Sequence, residues 1–348
     1  MDCGGWEGAL DPDSPVAYNE SRLVYISDSC KRKIQHVADQ LLSCDARPVE
    51  SNSLSSCGES FEKCRDTIIA RTKGLAILVH ELQYLVPVGK DEEVGRGLLE
   101  LCNLVVALVE CSAHAGYLAA LEVPGARPAR PGPVEPYKVS VLEQEVEQHC
   151  SCLGSLPLGQ LSPARLADVS QGVGRALRGL TDCCGPAGEA GRDALAREQL
   201  RLGLRGASCC ARALLACVRE LRAAPSERAR ARCVVFSRPL LQSVHALVGL
   251  ATEPQFLGRP AHLPAEGRSV HANILEAARR VVSSCLLFVQ WIRDVAQLSS
   301  SGARVPTFRE QVKSLTGAVS DSCNLLSQVL RDNDTLNLFN PWNGNSPN

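Results

Sequence analysis

An all-α fold follows from three properties of the sequence. Hydrophobic residues make up 45% of the 348 residues while aromatics supply only 4%, so the apolar side chains are mostly aliphatic, which suits packed helices better than aromatic-cored sheets. Apolar residues recur three and four apart over long windows. Two stretches rich in Pro and Gly, 122–136 and 252–265, interrupt that pattern and leave three helices, then four, then two. Proline lacks an amide donor and cannot continue a helix, so such clusters mark changes of direction between packed bodies. The three and the two are each short of a comfortable bundle but together make five. This predicts a nine-helix architecture with a four-helix bundle inserted into a five-helix bundle.

Residues 1–26 are expected to form a flexible, acidic leader. A first helix near 27–45 carries Ile34, Val37, Leu41 and Cys44 on one face, and a Ser- and Asn-rich loop follows over 46–58. The helix over 59–85 has Phe61, Cys64, Ile68, Leu75, Leu78, Leu82 and Leu85 near the spacing of one buried stripe. Val86 to Lys90, with Pro87 and Gly89, ends it. The third helix, 91–121, repeats the pattern with Val94, Leu98, Leu101, Val105, Leu108 and Cys111. Helices are expected within the insert near 138–155, 163–184, 188–223 and 226–251. Ser162-Pro163 and Pro225-Ser226 are start signals, because proline is tolerated in a first turn and serine caps. Two helices close the chain, near 266–299 with Val270, Ile274, Val281, Cys285, Val289 and Ile292, and near 306–332 with Phe308, Val312, Leu315, Val319, Leu326 and Val329. The expected boundaries are therefore 27–122 with 265–332 for the five-helix bundle and 136–252 for the insert. Residues 333–348 form a flexible tail, in which Leu338, Phe339 and Trp342 offer a short docking peptide as an alternative.

Residues 136–258 hold 15 Lys plus Arg against 11 Asp plus Glu, or +4, so the remainder of a chain of net charge −1 carries −5. That excess is too small for a phosphate-tracking nucleic-acid surface but suits an acidic protein partner. The 17 cysteines fall mostly among apolar helical residues, where a reduced thiol behaves as a small hydrophobe. With no basic start and no apolar run at the N-terminus, a reducing cytoplasmic location is expected. No unbroken apolar stretch reaches the roughly 20 residues that cross a bilayer, so no membrane insertion is expected.

Signals of catalysis are weak. His149-Cys150-Ser151-Cys152 is the nearest approach to metal-ligand spacing, and no second Cys/His pair accompanies it. Gly172-Val173-Gly174 lacks the third glycine and the preceding strand of a dinucleotide loop. No phosphate-loop, zinc-protease or nucleophile-elbow motif occurs. The expectation is a binding protein, not an enzyme, with no cofactor and no metal.

Two helices of the insert carry the informative patterns. In 188–223, Arg197, Arg201, Arg205, Arg212 and Arg219 recur at offsets of four or seven and fall within an arc of roughly 80° at about 100° per residue. Fourteen of the 15 basic residues of 136–258 are arginine, whose planar fork matches carboxylates. These arginines form a basic edge for an acidic partner or for solvent. In 226–251, Cys233, Val234, Phe236, Leu240, Leu241, Val244, Leu247, Val248 and Leu250 spread over about 200°, twice what one core requires. A second apolar seam is therefore expected, built on Phe236, Val235 and Leu240 and matched to another copy of the same module. Cover by the Phe256-Leu257 crossing or by the five-helix body is the alternative.

The segments ESFEKCRDTIIARTKG (59–74), ECSAHAGYLAA (110–120), ALLACVREL (213–221) and ALVGLATEPQFLGR (246–259) closely resemble the talin rod domain-containing protein family, with similarity from about residue 28 to 330. The resemblance implies a nine-helix architecture like the paired seventh and eighth rod domains of talin. It also implies homodimerisation through the four-helix part, F-actin binding and filament bundling in the actin cytoskeleton and in protrusions such as filopodia. Phe236 matches the aromatic position of the family's dimerising helix. Talin-type bundles also accept helices bearing leucine-aspartate motifs, which makes a monomeric adaptor the rival reading. No actin-contacting residue is carried over from the family; Arg197, Arg201, Arg205 and Arg212 are assigned that role from helical geometry alone.

Overall fold

A computed structural model describes residues 15–42, 46–49, 60–190, 193–300 and 308–338. Nine α-helices make up nearly all of these: α1 (Pro15–Leu41), α2 (Phe61–Val88), α3 (Asp91–Leu121), α4 (Pro136–Ser155), α5 (Pro163–Ala190), α6 (Ala194–Ala223), α7 (Glu227–Ala251), α8 (Ala265–Ser300) and α9 (Phe308–Leu338). The fold is all-α. Local chemistry sets several ends. The Ser60 hydroxyl accepts from the Lys63 amide to open α2, and Gly89 at φ 73° closes it in the left-handed region that a side chain disfavours. Asp193 accepts from the Leu195 amide at 2.9 Å and Ser226 from the Ala229 amide at 3.2 Å, capping α6 and α7.

Several boundaries differ from expectation. Helix α1 starts at Pro15, inside the expected leader, because proline is well placed in a first turn. Pro87 and Pro186 lie inside α2 and α5, beyond their expected ends at 85 and 184, whereas Pro239 lies inside α7 as the expected 226–251 helix implied. Pro87 sits in the last turn of α2, where the chain is already leaving the helix. The remaining leader, the tail from 339 onward with Phe339 and Trp342, and most of the expected 46–58 loop lie outside the described residues.

Among the described residues two large hydrophobic cores result, with a small third cluster of Ala46, Tyr117, Ala120 and Leu263. One is built from α1, α2, α3, α8 and α9 around Ile34, Ile68, Leu75, Leu101, Phe288 and Leu326; the other from α4 to α7 around Val146, Leu153, Val173, Leu200, Leu214 and Leu240. Helix α8 runs antiparallel to α1, with Arg293 Nε donating to Asp28 at 2.6 Å and Arg279 Nη2 to the Leu42 carbonyl at 2.7 Å. Gly97 on α3 is where Leu82 of α2 packs, and an added Cβ would meet its Cδ2 at 2.7 Å. Within the second core, α4 lies on α5 where His149 rests against Gly172 and Leu142 against Gly179. The glycines of the Gly172-Val173-Gly174 run are therefore mid-helix packing positions.

The two Pro/Gly crossings are zipped together, which the sequence did not predict. Strands β1 (Arg130–Pro131) and β2 (Gly258–Arg259) pair antiparallel, and Arg127 and His262 exchange backbone hydrogen bonds of 2.9 and 3.0 Å beyond them. Gly258 has φ 69°, and a Cβ there or at Gly132 would collide with the opposite backbone. Arg47 Nη1 donates to the Leu257 carbonyl at 2.6 Å, tying the ribbon to the segment after α1. Between the helices of the two cores, the main direct contact is α1 on α4. Polar contacts cross that seam, with Gln148 Nε2 donating to Ser29 Oγ at 2.6 Å and Ser140 Oγ meeting His36 Nε2 at 2.9 Å, and beside it the Tyr137 hydroxyl of α4 donates to buried Glu110 of α3 at 2.6 Å.

Among the described residues, three helices are long and apolar enough, by length and composition, to cross a membrane: Asp91–Leu121, Glu227–Ala251 and the Ala265–Leu298 part of α8. This corrects the expectation from unbroken apolar runs, because isolated polar residues interrupt each run without lowering its average much. The most apolar window is 67% buried in α3 and 50% buried in α8, but only 33% buried in α7.

Candidate interaction surfaces

Helix α7 is thus apolar without being covered. It runs antiparallel to α6, with Gly203 against Leu247, Cys210 Sγ 3.6 Å from Ser243 Oγ, and Glu220 Oε1 accepting from Arg232 at 2.6 Å. Its inward arc carries Cys233, Leu240, Val244 and Leu247, all buried in the four-helix core. Its outward arc carries Val235, 60% exposed, and Phe236, 40% exposed. Leu240 is 0% exposed, so it supports this face from beneath and cannot meet a partner. The sequence assignment of Leu240 to the seam is corrected on that ground: the width of the apolar arc was legible, but which edge of it points inward was not.

The face continues onto α6. At about 100° per residue, Leu195, Leu202, Gly206 and Ala213 project from the α7-side shoulder of α6, and Leu195 and Leu202 are exposed. Pro239 on α7 is exposed as well, and its missing amide leaves the Val235 carbonyl without its usual helical donor. Small residues on one helix and large exposed apolar groups on the other make a surface that another helix pair can approach closely.

The arginines lie on the opposite shoulder of α6, toward α5, where Gly188 approaches the Arg201 stem. Arg201, Arg205 and Arg212 are exposed. Arg201 has only Glu198 nearby, at 3.8 Å, and Arg212 folds back toward the Ser208 carbonyl at 3.4 Å and Cys209 Sγ at 3.7 Å. Arg197 differs: it is half-buried, and its Nε is enclosed without a hydrogen-bond partner. The edge therefore presents Arg201, Arg205 and Arg212 outward, with Arg197 set into the bundle.

A third surface was not anticipated from the sequence. Ile77, Tyr84 and Val88 are all exposed and lie along one face of α2 at offsets of seven and four. Helix α9 runs alongside, joined through Thr72 Oγ1 and Ser327 Oγ at 3.3 Å, and Gly317 on it faces open space. The spacing Ile77-x₆-Tyr84-x₃-Val88 was visible, but it reads equally as part of the buried stripe until the inward face is known.

Chemistry-bearing groups are muted by burial. Burial pushes the Cys150 thiol up to about 12 and the Cys152 thiol up to about 11, and it lowers the His149 imidazole below its usual range. No group of three or more His, Cys, Asp or Glu among the described residues is arranged to hold a metal ion.

No family model matches the chain. Among curated proteins it is 23% identical over 301 residues to Talin of Oscarella pearsei, covering 84% of this chain and 12% of that protein. It is 23% identical over 273 residues to Talin-1 of Gallus gallus and 22% identical over 276 residues to Talin-2 of Homo sapiens, in each case covering 78% of this chain and 10% of the relative. The chain is thus similar to the talins over most of its own length. It spans about a tenth of the length of the relatives it matches, and the aligned portion of this talin-like chain is wide enough to include helices of both cores.

Proposed function

We propose that this chain is a talin rod-like scaffold of the talin rod domain-containing type that binds and bundles F-actin as a homodimer. Residues 136–252 form the dimerising and actin-binding module, and 27–122 with 265–332 form the second body. The observation that carries the reading is α7, which is apolar enough to need full cover and has only a third of its apolar window buried. Val235 and Phe236 on α7, with Leu202 and Gly206 on α6, are the surface offered to a second copy. Exposed hydrophobic area of this kind is costly on a monomer and is relieved by association. Arg201, Arg205 and Arg212 stand on the other shoulder and remain free to meet acidic filament surfaces when the seam is closed. The protein works by binding, without catalysis, in the cytoplasm on the actin cytoskeleton and in protrusions.

The test uses Phe236→Asp, which places a charge in the seam. Sedimentation equilibrium is expected to give a dimer for the parent and a monomer for the variant, with low-speed pelleting of actin lost and high-speed co-pelleting kept. A variant that remains dimeric removes Phe236 from the interface. Arg201→Glu with Arg205→Glu is expected to weaken co-pelleting with helicity intact, and unchanged co-pelleting removes the arginine edge.

A second reading has its own support. The exposed Ile77, Tyr84 and Val88 stripe on the outer face of α2 suits the apolar face of an amphipathic helix from a signalling protein. A monomeric adaptor of this kind would bind leucine-aspartate peptides without bundling actin. Tyr84→Ala would abolish that binding while leaving the oligomeric state unchanged.

A further inference from the structure

Helices α1 and α3 lie side by side and run parallel. Ile26 packs on Gly95, where an added Cβ would stand 3.2 Å from Ile26 Cδ1, and Lys33 Nζ donates to Asn103 Oδ1 at 3.4 Å. Between these two contacts lie Cys30 and Cys102, which are 2% and 3% exposed. Their contacts are reciprocal. Cys30 Sγ donates to the Leu98 carbonyl at 3.5 Å, one turn before Cys102, and Cys102 Sγ donates to the carbonyl of Cys30 itself at 3.8 Å. Each thiol therefore reaches across the interface to the other's helix, at the other's own level. The two thiols also share a hydrogen bond, which holds Cys102 below the usual thiol range and, with burial, holds Cys30 above it. A disulfide here asks for rotation of side chains, not for displacement of a helix.

A cavity of about 210 Å³ lies on the same α1–α3 seam, lined by Leu23 and Ile26 from one helix and Gly95 and Leu99 from the other. Ile26 stands one turn before Cys30, and Leu99 three residues before Cys102. The cavity has room for a small peroxide and none for a protein-sized reagent. Other neighbouring cysteines are placed differently. Cys183-Cys184 and Cys209-Cys210 are adjacent on a single helix, where their side chains diverge by about 100°. Joining them would tie no two helices together.

We infer that Cys30 and Cys102 are a redox pair, which a hydroperoxide converts into a disulfide that staples α1 to α3. The Cys102 sulfur attacks one peroxide oxygen and the O–O bond breaks, so that hydrogen peroxide leaves a sulfenic acid on Cys102 and releases one water. The Cys30 sulfur then displaces the sulfenic oxygen, which takes up the Cys30 proton and leaves as a second water. Two thiols are oxidised and one peroxide is reduced to two waters. The staple acts on the helix that meets the most neighbours. Helix α1 touches α4 through Ser29 and His36, and α8 through Asp28 and Lys31, all within two turns of Cys30. Closing a bond between residues 72 positions apart restricts the unfolded chain and keeps α1 seated. The pair stands apart from the α6 and α7 surfaces and depends on neither dimerisation nor actin.

The test treats the full chain with hydrogen peroxide or with dithiothreitol, alkylates the remaining thiols after denaturation, and maps the peptides. A peptide pair joined through Cys30 and Cys102 is expected after peroxide and should vanish on reduction. The oxidised chain should melt higher than the reduced one by about 5 °C or more, and the amides of α1 should exchange hydrogen more slowly. Cys102→Ala should lose both the linked peptides and the rise in melting temperature. Cys30→Ala should lose them too but leave Cys102 as a sulfenic acid that dimedone labels. Circular dichroism of each variant separates loss of the pair from loss of the fold, and either variant alone suffices. The inference is overturned if both cysteines are recovered as alkylated thiols after peroxide has oxidised the exposed Cys209, or if other cysteines are joined ahead of this pair. It is equally overturned if the bond forms and the melting temperature does not rise.

Discussion

His114, His149 and His271 share one environment: burial lowers the affinity of each for a proton, and at His149 the nearby Arg175 adds to the effect against Glu145 and Asp168. An unfolded chain takes up protons at these rings near the ordinary histidine value of about 6.5, whereas the folded chain resists until lower pH. Below that value the unfolded state binds more protons, so stability falls as the pH drops through about 6.5 toward the depressed folded values. The melting temperature is therefore expected to be lower at pH 5.5 than at pH 7.5, and His149→Gln should reduce that difference. Thiols follow the same logic with a different readout. Burial raises Cys184 and Cys323 to about 12 and Cys285 well above its usual range, while Cys209 is exposed. Brief alkylation of the native protein followed by peptide mapping should modify Cys209 well before those three thiols; comparable labelling of Cys285 would mean that the α8 and α9 packing opens readily.

Among the elements, the helices were legible in the sequence because each carries its own record of burial. Val94, Leu98, Leu101, Val105 and Leu108 fall on the inward face of α3, and a three-and-four spacing over that length admits only a helix. The β1–β2 ribbon left no comparable record. Two residues per strand are too few for any alternation to show, and the pairing depends on contact between segments more than 120 residues apart in sequence. Prolines were read too strictly as terminators at Pro186, which lies within α5 past the expected end at 184; Pro239 stays within α7, as expected, on its exposed face, where the lost hydrogen bond is open to water. The apolar arc of α7 was legible as too wide, yet Leu240 was assigned to its outside, since width does not say which edge faces in. Two substitutions test the elements directly. Gly258→Ala puts a Cβ into the backbone of the opposite strand and should cost at least about 2 kcal/mol in chemical denaturation. Ser226→Ala removes the cap of α7 and should cost about 1 kcal/mol. If Gly258→Ala proves neutral, the two crossings are not held together as described.

For the whole molecule, the relation between surfaces matters more than any one of them. The apolar face and the arginine edge occupy opposite shoulders of α6, so closing one leaves the other open. On the proposed reading, two weak filament sites joined in one particle would hold a polymer far more firmly than one. Fusing a constitutive dimerising helix to the Phe236→Asp chain is therefore expected to restore low-speed pelleting of actin, which would show that valence, and not Phe236 itself, is what bundling requires. None of this could be read from the distribution of residues alone, because the same arginines and the same apolar arc are compatible with several ways of seating α6 and α7 in the bundle.

The ribbon carries one more implication. Since Pro131 and Gly258 sit side by side, the stretch between them departs and comes home at a single point, like a bead hung on a loop of thread. Such a unit is portable. It could be snipped out and the gap sealed with a tight two-residue turn such as Asn-Gly, leaving its host intact, and grafted onto a different carrier at any exposed hairpin. A chain organised in this way can gain or lose a whole head without rebuilding its body.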